Sequence, residues 1–318
     1  MTPKVARIVC VLALLAFPLS STRLEAEPMT LDDALGQVDE SALTNVDWQA
    51  VSALTGLDAT GLQAICRDLQ DRFHGSYVLQ LAPLRDVANV ALPLLEQRPE
   101  TQGYAAWLRP RLDYLAVAAE LRVTISAPSL ELQSSTALPA NPTPDDERRV
   151  WQEHLRQEDL PSAARLYVRQ LKPVFVQEGV PGELVWLAEV ESRFEPQARS
   201  PMGAAGLFQL MPDTAQLLGL SLSPHDDRIE PAKSARAAAQ YLKYLYDKFG
   251  DWRLAIAAYN AGEGRVRRLL DQRGARSYDE IASRLPAETQ MYVPKVEATI
   301  LRREGVMLPD LKAAKAQP

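Results

Sequence analysis

The carboxyl group of Glu191 stands near the end of an almost wholly apolar stretch that opens at Pro181. At about 100° per residue, a helix over 181–194 puts Glu191 between Leu184 and Leu187, while Val185, Trp186 and Val190 cover the opposite side. A helix that is apolar nearly all round is a buried one. Burial and a place near the negative end of a helix both disfavour the ionised carboxyl. A raised pKa is what a general acid needs near neutral pH. The same residues fit a structural glutamate paired with a buried Arg or Lys, and from the helix alone the two readings stand level. Glu189 lies between Val185 and Trp186, so periodicity cannot choose between the two carboxyls. Their distance from the next loop separates them. Glu191 adjoins the irregular stretch from Glu195 to Gly203, and Gly203 and Gly206 allow tight turns or close backbone approach. Glu189 is a turn deeper, and catalytic groups gather where a rigid element meets a loop.

Other chemistries find little support. The 3 histidines, His74, His154 and His225, lie far apart without metal-ligand spacing, and the 2 cysteines, Cys10 and Cys66, build neither a zinc site nor a disulfide framework. No metal and no cofactor are therefore expected. A formal charge of −6 opposes nucleic-acid binding. Residues 1–26 read as a secretory signal, with Lys4 and Arg7 ahead of the apolar run from Ile8 to Phe17, which is too short to span a bilayer. Export to the periplasm or cell envelope is the expected consequence. Cleavage after residue 26 removes Lys4, Arg7 and Arg23 against Glu25, so the charge goes from −6 to −8. It also leaves Cys66 alone in an apolar helical stretch, as a small buried hydrophobe.

The elements that must hold Glu191 read as helices. Over 27–124, Leu62, Ile65, Leu69 and Phe73 recur at helical spacing, as do Leu108, Leu112 and Leu115, and Pro83, Pro93, Pro99 and Pro110 cut the region into short pieces. Its role is not legible. Residues 125–148 are rich in Pro, Ser and Thr and read as a linker. The domain expected over 149–305 has a helix over 162–178 ended by Gly179, another opened by Pro181, and an Ala-rich helix from Pro231 to Gly250. Asp251 then caps a helix over 252–261, and a last helix spans about 286–304, with Pro294 inside it, before a tail over 306–318. No run alternates well enough for a large sheet. The fold class is mainly α: an α-rich domain preceded by a separate helical N-terminal region.

Three ordered segments resemble a known family. The first runs from Glu191 to Pro196, then takes in Ala198, the run from Ser200 to Pro212, and Thr214 with Ala215. The second is Ala258 to Val266, and the third Leu285 to Thr289 with Tyr292 and Val293. Together they resemble the soluble-lytic-transglycosylase (SLT) domain of the glycoside hydrolase family 23 type, over roughly residues 160–305. The resemblance implies a lysozyme-like fold acting on peptidoglycan glycan strands, in a form without wall-binding repeats. It implies Glu191 as the single catalytic acid/base. Ser200, Gln209 and Met211 are implied as glycan-subsite residues, Tyr259 as support for the glutamate and the reacting sugar, with Asn260 beside it, and Tyr292 as closing the cleft. Glycosidases commonly use two carboxylates, but the family's chemistry needs one: the acid protonates the MurNAc–GlcNAc bridge oxygen, then takes the proton of the C6 hydroxyl that attacks C1, leaving a 1,6-anhydroMurNAc end. A lysozyme-type muramidase on the same fold and a non-catalytic glycan-binding protein are the alternatives.

Overall fold

The computed structural model describes residues 59–126, 140–156 and 158–311. The expected signal segment 1–26, most of the linker and the end of the tail lie outside these residues. Thirteen α-helices joined by short 3₁₀ turns make up the described chain, and no strand forms among the described residues beyond two isolated bridges, Arg199 with Ala205 and Ala205 with Leu210. The mainly-α expectation stands.

The helices before residue 127 are α1 (Ala59–His74), α2 (Arg85–Glu96), α3 (Gln102–Leu108) and α4 (Leu112–Ser126). Next come α5 (Pro144–Leu155), α6 (Ala164–Gln177) and α7 (Leu187–Ser192), then α8 (Pro212–Leu217), α9 (Pro231–Phe249) and α10 (Trp252–Ala261). The last are α11 (Glu263–Arg273), α12 (Tyr278–Ile281) and α13 (Ala287–Glu304). Cap chemistry sets several ends. Pro231 opens α9 and Gly250 closes it in the left-handed conformation, and the Asp251 carboxylate accepts from the backbone N–H of Leu254 to start α10.

Two expectations change. Residues 144–148, read as linker, form the first turn of α5: Thr143 and Asp146 make a capping box with Pro144 in the first turn. The helix at the other end of that linker likewise runs to Ser126. The N-terminal helices are also not separate in packing. Leu62, Phe73, Leu94, Leu108 and Leu115 belong to the same buried cluster as Leu184, Phe208, Ile256 and Ile300. The physical reason is α13, which is buried along nearly its whole length and packs against α1, α5, α7 and α10.

Helix α13 carries polar residues into the core, and each has a partner, as burial demands. Thr289 Oγ1 donates to Asn260 Oδ1 at 2.7 Å, and Gln290 Nε2 donates to the carbonyls of Ser76 and Leu285 at 2.8 Å. Lys295 Nζ donates to the carbonyl of Pro110 and to Asp113 Oδ2, both at 2.9 Å. Glu297 Oε1 accepts from Arg253 Nε at 2.7 Å. Ser76, Pro110 and Asp113 all precede residue 127, so the polar network as well as the apolar core joins the two parts of the chain.

Candidate active site

Glu191 occupies the last turn of α7. A single α-helix over 181–194 does not form. Pro181 precedes a 3₁₀ turn, Gly182–Trp186, and α7 is only the next 6 residues, stopped by Arg193 in the left-handed conformation. Phe194 also has positive φ, at 62°, which swings the chain out of the helix and into the loop 195–211. Ser192 Oγ donates to the carbonyl of Leu207 at 2.8 Å and ties that loop back to the helix end beside Glu191.

The loop is held from within. Backbone N–H groups of Ser200, Ala205, Gly206 and Leu210 donate to the carbonyls of Ala204, Leu210, Ala198 and Ala205. Arg228, 6% exposed, lies underneath and donates to the carbonyls of Gly203 at 2.6 Å and Leu210 at 2.9 Å. Asp226 balances that cation through two 2.9 Å contacts, and hydrogen bonds from Arg228 hold the Asp226 carboxyl down at about 2. At Gly206, φ is +83° and a Cβ would fall on the carbonyl oxygen of Arg228, so only glycine fits.

At the acid itself, Tyr292 Oη donates to Glu191 Oε1 at 2.5 Å. Burial is the main influence on Glu191 and raises its pKa to about 7; the Tyr292 hydrogen bond and the Arg111 and Lys295 charges pull it down, and the Glu288 charge pushes it up. Tyr259 donates its hydroxyl to the carbonyl of Phe208 at 2.7 Å; burial, helped by the charge of Glu191, raises its pKa. Tyr292, only 2% exposed, backs the carboxyl from α13, and the Tyr259 hydroxyl binds the loop.

The remaining expected residues sort by what they touch. Gln209, at φ 45°, donates its amide to the carbonyls of Ala198 and Gly206 at 3.2 and 2.9 Å. Ser200 Oγ accepts from the N–H of Ala204 at 3.0 Å. Both shape the loop. Met211 is 43% exposed where the loop enters α8 and presents an apolar surface to solvent. Asn260 accepts from Thr289 at 2.7 Å, joining α10 to α13.

Glu191 differs from Glu189, Glu263 and Glu288 in its partner. Glu189 is clamped by Arg303 at 2.7 and 3.1 Å, Glu263 by Lys248 at 3.0 Å, and Glu288 by Arg111 at 2.5 Å. Glu191 meets a neutral phenol, with no ion pair among the described residues. Glu189 thus takes the structural role that periodicity left open. Three residues near the acid are not singled out by the sequence: Arg111, Glu288 and Lys295. Their signal is the spacing of Glu288, Tyr292 and Lys295, which puts them on one face of a helix.

Residues 176–282 match the family model of the transglycosylase SLT domain. The match is confined to that stretch, which is similar to the SLT domain. Tyr292 and the Leu285–Thr289 segment lie just beyond the matched stretch. Over 188 residues the chain is 37% identical to the membrane-bound lytic murein transglycosylase D of Escherichia coli K12, covering 55% of this chain and 42% of that protein. It is 40% identical over 121 residues to the soluble lytic murein transglycosylase of Salmonella typhimurium LT2, covering 35% of this chain and 19% of that one. The chain thus spans less than half the length of either relative. The crystal structure of a lytic transglycosylase Slt from Pseudomonas aeruginosa aligns with a TM-score of 0.41 at 18% identity, over 97% of this chain and 53% of that one.

Proposed function

We propose that this protein is a peptidoglycan lytic transglycosylase in which Glu191 acts first as acid and then as base. The observation that carries the reading is the Glu191 setting: a partly buried carboxyl with a pKa of about 7, a phenol for a partner, and a loop held against it. Near neutral pH such a group is divided between its two forms, so it can donate a proton and later accept one. The SLT domain and the lytic murein transglycosylases it resembles supply the substrate class, the MurNAc-GlcNAc β-1,4 bond.

The cycle runs on that one group. Protonated Glu191 gives its proton to the bridge oxygen as the C1–O bond breaks. The resulting carboxylate takes the proton of the sugar's own C6 hydroxyl while that oxygen bonds to C1, so the glutamate ends protonated as it began. Tyr292 favours the carboxylate between the two steps through the hydrogen bond it donates. A tethered nucleophile is worth about 7–11 kcal/mol of barrier in good geometry. No second carboxylate is required, which agrees with Glu189, Glu263 and Glu288 all being held by cations. The −6 charge and the signal-like segment suit a cell-envelope enzyme acting on glycan strands, without nucleic acid, metal or cofactor.

Digestion of purified sacculi in ¹⁸O-labelled water, followed by mass spectrometry, tests the reaction type. Transglycosylation yields anhydro ends free of label. Reducing ends carrying ¹⁸O identify a muramidase instead, and no released fragments a binding protein.

A further inference from the structure

Helix α13 presents Glu288, Tyr292 and Lys295 at spacings of four and three residues, on one face. Tyr292, in the middle, touches Glu191, so Glu288 and Lys295 lie one turn to either side of the residue that holds the carboxyl. Both are gripped by a single short segment from the N-terminal part of the chain. Arg111 donates to Glu288 Oε1 through Nη2 at 2.5 Å and Nε at 3.1 Å. It is itself fixed by a 2.9 Å bond to the carbonyl of Trp107 and by lying over the Trp107 ring at 4.8 Å. Lys295, 4% exposed, binds Asp113 and the carbonyl of Pro110 and sits over the Tyr114 ring at 4.6 Å.

We propose that the Arg111–Glu288 pair is a positioning device for Glu191, through which the segment 107–114 sets the charge the reacting carboxyl feels. Residues outside the SLT-matched stretch would then belong to the working site, which gives the N-terminal helices a task in the reaction besides packing. The proposal rests on the reading of Glu191 as the acid. The groups within electrostatic reach of Glu191 are Glu288, Tyr292 and Lys295 from α13, Arg111 and Tyr114 from the N-terminal segment, and Tyr259 from α10. Among them Arg111 favours the carboxylate and Glu288 opposes it, so the two members of one pair pull in opposite directions.

That opposition supplies the test. In the full chain, the side-chain carboxyl of Glu191 is titrated by ¹³C NMR, its signal identified by its loss in Glu191→Gln. Arg111→Met removes the cation and keeps the aliphatic stem; the midpoint rises by about half a pH unit or more. Glu288→Gln removes the opposing anion, and the midpoint falls. The alkaline limb of fragment release from sacculi moves the same way in each variant. A structural role alone would lower activity in both without moving the titration in opposite senses. Midpoints that stay put, or move in the same direction, overturn the proposal. Should circular dichroism show Arg111→Met unfolded, Glu288→Gln must still lower the midpoint, and an unchanged value there is contradiction enough. If the titrations move as stated while even the wild type releases nothing from sacculi, the pair stands and the enzymatic reading falls.

Discussion

A carboxyl that a fold keeps protonated near neutral pH costs stability when it is forced to ionise. The pKa of Glu191 is raised from 4.5 to about 7, so the folded protein binds this proton more tightly than the unfolded chain. Its contribution is fully present below about 4.5 and is lost as pH rises through about 7. Glu191→Gln cannot ionise; it should therefore be more stable than the wild type at pH 8, by at most about 3 kcal/mol, with the gap closing toward pH 4. Urea unfolding at the two pH values measures this, and an equal gap at both would contradict it. Tyr292→Phe removes a hydrogen bond that favours the carboxylate, so the alkaline limb of activity should move to higher pH; a limb that moves down would show that the phenol acts otherwise. The sequence exposed Glu191 through its apolar surroundings and the loop beside it. It could not separate Glu191 from Glu189 by periodicity, because the deciding partners, Tyr292 and Arg303, come from a helix about a hundred residues further on.

At the scale of elements, the loop 195–211 is the part whose shape is most tightly specified. Gly206→Ala would press a methyl group onto the Arg228 carbonyl at a positive φ and should cost at least about 2 kcal/mol, with activity falling as the loop shifts. Gly219→Ala is the comparison: its φ is +78° but nothing lies within 4 Å, so the cost should be only the backbone strain, about 1 kcal/mol. Denaturant midpoints of the two variants check the contrast, and equal losses would refute it. Helix ends with strong local chemistry are legible in the sequence, as at Pro231, Gly250 and Asp251. The 3₁₀ turn Gly182–Trp186 is not, since its apolar residues suit a tight or a regular helix equally well. Thr143, Pro144 and Asp146 carry a capping signal that the surrounding Pro/Ser/Thr-rich composition hides.

Across the whole molecule, α13 is the member on which both parts of the chain depend. Its Lys295 is buried, and Asp113, from α4, supplies the balancing charge at 2.9 Å. Asp113→Asn leaves that cation with only carbonyl and ring partners and should destabilise the protein by about 3 kcal/mol, whereas Asp113→Asn with Lys295→Met should recover much of the loss. Thermal unfolding of the single and double variants measures the coupling; additive losses would mean that the pair does not join the two parts. Sequence patterning could not reveal this dependence, because each helix shows its own apolar face but not which neighbour covers it.

The claim on which all three scales converge is that Glu191 performs the reaction. Sacculi treated with the wild-type protein should release fragments with 1,6-anhydroMurNAc ends, and folded Glu191→Gln should release none, because an amide cannot give and then take the proton. Release by Glu191→Gln at the wild-type rate would contradict the account.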